Sequence, residues 1–308
     1  MTLQQLEYIL AVDKFRHFAK AAEHCGVTQP TLSAMIQKLE DELNVKIFDR
    51  HVQPVIPTNI GEKILHQARS IINQTLHMRE VIQEEKHVIT GKFRLAVLPT
   101  IAPYLIPRFF PQLRKKCPDL DLRVSERKTH EVFEGLKNDE IDAAIIASMP
   151  EDAKLQGDVL FYEEFMGYVS RNEPLFKNEF IRTSDVNPSR LWLLDEGHCF
   201  RDQLVRFCQL DSVKNTHVVY QLGSMETFMR MVESGNGMTF IPELALSQLC
   251  KEQKELVKSF AIPRPTRPIV LVTRIDFIRQ SILKIVKENI KESVPERMLV
   301  LDAVQTLV

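Results

Sequence analysis

The hydrophobic positions fall into two regimes along the chain. Over the first ninety residues they repeat with a helical period. Leu3, Leu6, Ile9 and Leu10 predict one amphipathic helix, and Phe18 to Cys25 predicts a second, with Ala19, Ala21 and Ala22 as small residues for close packing. Gly26-Val27 breaks it; Thr28 is then a candidate N-cap, and Pro30 suits the first turn of a third helix. That helix is expected to turn Leu32, Ile36, Leu39 and Leu43 inward and Gln29, Thr31 and Ser33 outward. Two short helices joined by a tight glycine turn make either a helix-turn-helix or a generic helical hairpin. A long helix from about Thr58 to Lys86 follows, capped by Thr58 or Asn59, with Glu62 in its first turn. Its stripe of Ile60, Ile64, Ala68, Ile71, Leu76, Val81 and Ile82 is more than a lone helix can bury, so a partner helix is expected.

From Phe93 onward apolar strands alternate with helical runs. Phe93 to Leu98, Leu120 to Ser125 and Ile141 to Ala147 predict strands; Leu105 to Cys117 and Thr129 to Lys137 predict the helices between them. That order argues for a parallel α/β sheet. A second run reads as strand near Leu160 (Phe165 to Ser170), strand Trp192 to Leu194, a helix through Phe200, Leu204 and Phe207, strand Val218 to Leu222, helix Met225 to Glu233 and strand Met238 to Ile241. The basic, proline-rich Pro263 to Pro268 is expected to cross between lobes; Ile269 to Thr273 is a last strand, and the tail from Phe277 reads as helical except around Pro295. The fold class is therefore α/β, divided as residues 1–58, a linker helix 59–87, a hinge 88–91, and a two-lobed domain 92–308. Lobe I takes about 92–163 and 268–308, and lobe II about 164–267.

Composition narrows the picture modestly. The 308 residues carry 40 basic and 41 acidic side chains, so net charge does not point to nucleic acid. No apolar run approaches the length of about 18 residues needed to span a membrane, and the N-terminus has no basic segment of the secretory kind. A cytoplasmic protein without a membrane partner is expected, in a compartment that keeps thiols reduced. The five cysteines are odd in number and scattered, with no zinc spacing, so neither a disulfide framework nor a metal or other cofactor is expected.

The N-terminal pattern goes beyond a hairpin. Phe18, Ala21, Ala22, Val27, Gln29-Pro30, Ser33, Leu39-Glu40, Leu43 and Phe48-x-Arg50 resemble the DNA-binding domain of LysR-type transcriptional regulators. The resemblance implies a winged helix-turn-helix with its wing at about Arg50 to Pro57, double-stranded promoter DNA and RNA polymerase as partners, and pairing of the linker helix with that of a second subunit. It gives Thr28, Gln29, Pro30, Thr31, Ser33, Lys38 and Arg50 as DNA-binding residues. Two positions depart from the usual family pattern: Ala34 stands where many members have arginine, and the wing His51-Val52-Gln53-Pro54-Val55 lacks phosphate-binding basic residues. Both weaken the expected non-specific, salt-dependent affinity. Glu40, Asp41 and Glu42 are expected to lie on the solvated face or to hold the wing. The two lobes resemble the effector domain of the same family, which is itself periplasmic-binding-protein-like. In such sheets ligands sit beyond the carboxyl ends of strands, where Thr100, Thr129 and Cys199 fall.

Cys199 and Cys208 bracket the helix through Phe200 and Phe207. In a continuous helix nine steps separate them by roughly 13 Å along the axis and turn them to roughly opposite faces. A disulfide needs Cα atoms within about 7 Å, so the pair bonds only if the helix comes apart. Cys199 at a helix N-terminus is placed where the thiolate is favoured, with Gly197, His198 and Arg201 beside it. Spacing alone leaves open that the two cysteines are unrelated core residues. The run Gly-His-Cys-x-Arg-Asp-Gln with Phe-Cys, together with Leu98-Pro99-Thr100, Pro103-Tyr104 and Thr129-His130, closely resembles the hydrogen-peroxide-sensing members of the LysR group. This implies that Cys199 is peroxidatic and Cys208 resolving, that Thr100, Thr129 and His198 bind peroxide, and that Gly197, Arg201 and Asp202 support the reduced fold. It further implies activation of oxidative-stress genes, a thioredoxin- or glutaredoxin-type reductant, and a homodimer assembling to a homotetramer. The alternatives are a metabolite-responsive LysR-type regulator with silent cysteines and, in another class, a thiol peroxidase.

Overall fold

The computed structural model describes residues 1–85, 89–194, 199–209 and 224–308. The chain forms two compact units, Met1–Val88 and Ile89–Val308.

The first unit packs α1 (Leu3–Phe15), α2 (Phe18–His24) and α3 (Gln29–Leu43) on a core of Leu6, Ile9, Val12, Leu32, Ile36 and Leu39. Thr2 caps α1 in a reciprocal box with Gln5, and Thr28 caps α3 by accepting from the Thr31 N–H. Leu43, expected inward, is exposed at the last position of α3, where the left-handed Asn44 ends the helix. Strands β1 (Phe48–Asp49) and β2 (Ile56–Pro57) pair antiparallel as a short wing. The long α4 (Asn59–Glu85) then packs on the core through Leu65 and Ala68. Gly61 lets it approach: a Cβ there would stand 2.0 Å from the Ile47 carbonyl oxygen. Ile60, Ile71, Met78, Val81 and Ile82 of α4 stay exposed in the single chain.

The second unit starts with β3 (Gly91–Val97), so Gly91, expected in the hinge, already pairs with Leu120. It continues with α5 (Ala102–Lys116), β4 (Leu120–Glu126), α6 (Thr129–Lys137) and β5 (Ala143–Ile146). β4, β3 and β5 are parallel neighbours, as the alternation predicts. The next strand, β6 (Leu155–Val169), is far longer than the sequence pattern suggested. Beyond it come β7 (Phe180–Ile181), α7 (Cys199–Phe207), α8 (Met225–Glu233), β8 (Met238–Pro242), α9 (Lys251–Lys254), β9 (Val257–Phe260), β10 (Arg264–Arg274), α10 (Gln280–Ser293) and β11 (Gln305–Leu307).

β6 and β10 run antiparallel over Leu155–Glu164 and Thr266–Arg274 and carry the sheet from one lobe to the other in the order β4-β3-β5-β10-β6-β9-β7, with β8 on β6 and β11 on β10. The expected lobe boundaries fall inside these two strands. Three expectations need correction. Pro263 to Pro268 is mostly the beginning of β10 rather than a free crossover; Trp192 to Leu194 makes no strand, only a one-residue bridge from Leu191 to Met238; and the tail ends in β11. The expected strand Val218 to Leu222 lies outside the described residues. Among those described, no helix is long and apolar enough to cross a membrane.

Candidate redox site and nucleic-acid interface

Three junctions at or just before helix starts carry the candidate residues. Thr100 follows β3, Thr129 opens α6 after β4, and Cys199 is the first residue of α7. Phe200, Gln203 and Leu204 form the buried face of α7, and the Phe200 ring lies 4.8 Å from Phe165 of β6. Cys199 is half-buried and Cys208 buried, and both are free thiols. The helix between them is continuous; the Cys208 N–H still donates to the Leu204 carbonyl at 2.9 Å, and Gln209 ends the helix at φ 52°.

The charge at the centre of the site was not singled out from the sequence. Arg267 of β10 is 1% exposed, and its Nε and Nη2 donate to Glu163 Oε2 of β6 at 2.9 and 2.7 Å. Its Nη1 donates to Thr100 Oγ1 and its Nη2 to the Thr100 carbonyl, both at 3.1 Å. The guanidinium covers the Phe200 ring at 4.8 Å. Because Thr100 Oγ1 accepts from Arg267, its own hydroxyl proton is free to be donated elsewhere. Thr129 Oγ1 is buried and makes no hydrogen bond of standard geometry among the described residues, yet it lies near enough to the Cys199 sulfur to favour the thiolate.

Burial pushes the Cys199 thiol up from its ordinary value. The Arg267 charge, the Thr129 hydroxyl and the Phe200 backbone N–H pull it down, and Asp202 adds to the rise. Burial alone pushes Cys208 up to about 12.

Arg201 and Asp202 pair with each other at 3.5 Å. Gln203, missed from the sequence, is 3% exposed and donates to the carbonyls of Ala147 and Val308, fastening α7 to lobe I and to the end of β11. A signal was available: a polar residue on the helical face that carries Phe200 and Leu204. Gly197 and His198 lie outside the described residues.

In the first unit, Thr28, Gln29, Pro30, Thr31 and Lys38 are exposed along α3. Ser33 and Arg50 meet, with Arg50 Nη1 donating to Ser33 Oγ at 3.2 Å while its guanidinium lies 4.9 Å from the Phe18 ring. Glu40 anchors the wing. It is 1% exposed and accepts from the backbone N–H groups of Ile47 (2.8 Å) and Phe48 (3.3 Å) and from Arg50 Nη2 (3.2 Å). Asp41 and Glu42 are solvated. Glu40→Ala strands two buried donors, so it is expected to destabilise this unit by about 2–4 kcal/mol and to weaken DNA binding. Thermal unfolding and a DNA titration check this, and an unchanged melt would remove Glu40 from the wing's support.

Residues 3–62 match the bacterial regulatory helix-turn-helix protein, LysR family, and residues 86–292 match the LysR substrate binding domain. A Haemophilus influenzae protein named hydrogen peroxide-inducible genes activator is 34% identical over 276 residues, covering 89% of this chain and 91% of that protein. The crystal structure of OxyR from Porphyromonas gingivalis is 52% identical, covers 71% of this chain and 99% of its own, and superposes with a TM-score of 0.67. A full-length OxyR variant from Pseudomonas aeruginosa is 33% identical over 96% of this chain and 99% of its own, with a TM-score of 0.78. The chain therefore belongs to the LysR family of bacterial transcriptional regulators and closely resembles its OxyR members; it is a regulator, not an enzyme.

Proposed function

We propose that the chain binds promoter DNA through α3 and the wing, senses hydrogen peroxide through a Cys199–Cys208 thiol/disulfide switch, and activates oxidative-stress defence genes. One observation carries the reading: the Cys199 sulfur opens α7 beside the Thr129 hydroxyl and the Arg267 charge, with the second thiol at the far end of the same helix. The name of the Haemophilus relative supports peroxide as the effector.

In the first step ionised Cys199 attacks one peroxide oxygen and the O–O bond breaks. The thiol's proton ends on the departing oxygen, which leaves as water, and the sulfur becomes a sulfenic acid. The free protons of Thr100 and Thr129 orient the peroxide, with His198 as the third partner. Gly197, Arg201 and Asp202 hold the reduced loop and helix. The added oxygen crowds the Phe200 side of the pocket, and α7 unwinds. Cys208 then attacks the sulfenic sulfur, a second water leaves, and the disulfide closes.

Unwinding does two things for Cys208. It brings the sulfurs together, and it lifts the burial that holds that thiol near 12. At pH 7 a thiol at 12 is ionised in about one molecule in 10⁵, against roughly one in 30 for a free cysteine. The resolving step is therefore gated by the same melting that the first step causes. The two states of α7 are the bistable element. They reset contacts between subunits paired through the exposed stripe of α4, in a homodimer that assembles to a homotetramer, and so shift promoter contacts and recruit RNA polymerase. A thioredoxin- or glutaredoxin-type dithiol reverses the bridge in the cytoplasm.

Brief exposure to dilute peroxide followed by non-reducing digestion is expected to yield one peptide pair bridged between Cys199 and Cys208, with two thiols lost. A mass spectrum showing no thiol loss would instead favour a metabolite in the lobe cleft and silent cysteines.

A further inference from the structure

Arg267 is the cation that favours the Cys199 thiolate, but its charge is already engaged. Four hydrogen bonds, two to Glu163 and two to Thr100, occupy four of the five N–H groups that a guanidinium offers. Arg267 and Glu163 are register partners across β10 and β6, 1% and 2% exposed, so solvent does not screen their interaction. Glu163 is fixed from its other side, where Oε1 accepts the Leu244 N–H at 3.2 Å. The carboxylate thus has no other place to go, and the guanidinium is aimed by it.

Among the described residues, Asp202 on α7 itself also acts on the sulfur and opposes ionisation. The Tyr104 hydroxyl of α5 lies by Arg267 and Glu163; it is bonded to Glu226 and is itself pushed up by burial and that carboxylate. An ionised Cys199 is therefore a second anion competing with Glu163 for one cation.

We propose that Glu163 is a positioning residue for the thiol chemistry: by orienting and neutralising Arg267 it holds Cys199 in the protonated, slow form and sets the oxidant level at which the switch fires. The inference rests on the redox reading above and adds to it a residue that touches neither sulfur nor peroxide. With the Glu163 charge gone, Arg267 is left buried and unpaired, and the Cys199 thiolate becomes its counter-ion.

The test is the pH profile of Cys199 alkylation by iodoacetamide in the full chain, followed at the Cys199 peptide by mass spectrometry. Glu163→Gln is expected to lower the alkylation midpoint by about one unit, which is about tenfold more thiolate at neutral pH. Glu163→Asp keeps the charge and should restore most of the shift. A purely structural role would change the melting temperature and leave the midpoint where it was. A folded Glu163→Gln protein with an unchanged or raised midpoint overturns the proposal. Should Glu163→Gln fail to fold, Glu163→Met, which keeps the side-chain length and removes the charge while leaving Arg267 in place, carries the comparison: a midpoint below the parent's supports the role of Glu163, and an unchanged or raised one overturns it. The same wild-type protein is treated with peroxide in parallel. A normal Cys199–Cys208 bridge beside an immobile midpoint removes the Glu163 role alone, whereas a missing bridge removes the sensing reading.

Discussion

Cys199→Ser protein is expected to form no bridge and to lose its peroxide response completely, while its DNA affinity stays within about twofold of the parent. Serine nearly matches the thiol in size, and its hydroxyl can meet the Thr129 oxygen, so α7 should keep its start. Stability should change by no more than about 1 kcal/mol. What disappears is the one group described at this junction that can ionise and attack an O–O bond. The proposed DNA contacts are spared because Thr28 to Ser33 and Arg50 belong to the separate unit Met1–Val88, which has its own core. Promoter binding and transcription with and without peroxide check both halves. A Cys199→Ser protein that still responds to peroxide would end the account. Cys208→Ser should behave differently: it stops at the sulfenic acid, which a dimedone adduct at Cys199 reveals.

The sequence was most legible where the signal is local. Helix periodicity, the Thr28 cap and the glycine break define α2 and α3 within a residue or two, because capping and amphipathicity act over three or four positions. Thr100 and Thr129 were also legible as junction residues, since each follows an apolar strand, and the helix that Cys199 opens was legible from Phe200, Leu204 and Phe207. Arg267 and Glu163 were not. They are 104 residues apart and meet only because the first part of β6 pairs with β10, which puts Glu163 opposite Arg267. The charges Glu163-Glu164 interrupt the apolar pattern of β6, and the prolines flanking Arg267 look like linker, so both strands were expected to start after the residues that matter. β11 was missed for a related reason: three residues on a partner strand carry too short a pattern to separate from the helical tail before them. Within the first unit, Glu40 was seen as solvated or wing-holding. Only the fold decides between these, through the backbone N–H groups of Ile47 and Phe48.

Arg267→Met should be the most damaging single change in the regulatory unit. Methionine fills much of the same space over Phe200 and Phe165, but it leaves the Glu163 carboxylate buried with the Leu244 N–H as its remaining donor among the described residues. Breaking a buried pair from one side costs about 3–5 kcal/mol. The same change removes the cation that lowers the Cys199 thiol, so peroxide oxidation at neutral pH should slow by about tenfold or more. These two losses have different causes and separate in the double variant. Glu163→Gln/Arg267→Met removes both charges, so most of the stability should return, to within about 1–2 kcal/mol of the parent. The oxidation rate should not return, because no cation faces the sulfur. Thermal unfolding and the rate of thiol loss under dilute peroxide measure the two quantities on the same samples. If stability and rate recover together, Arg267 acts on Cys199 only by holding the two lobes in place; if stability alone recovers, its charge acts on the sulfur directly.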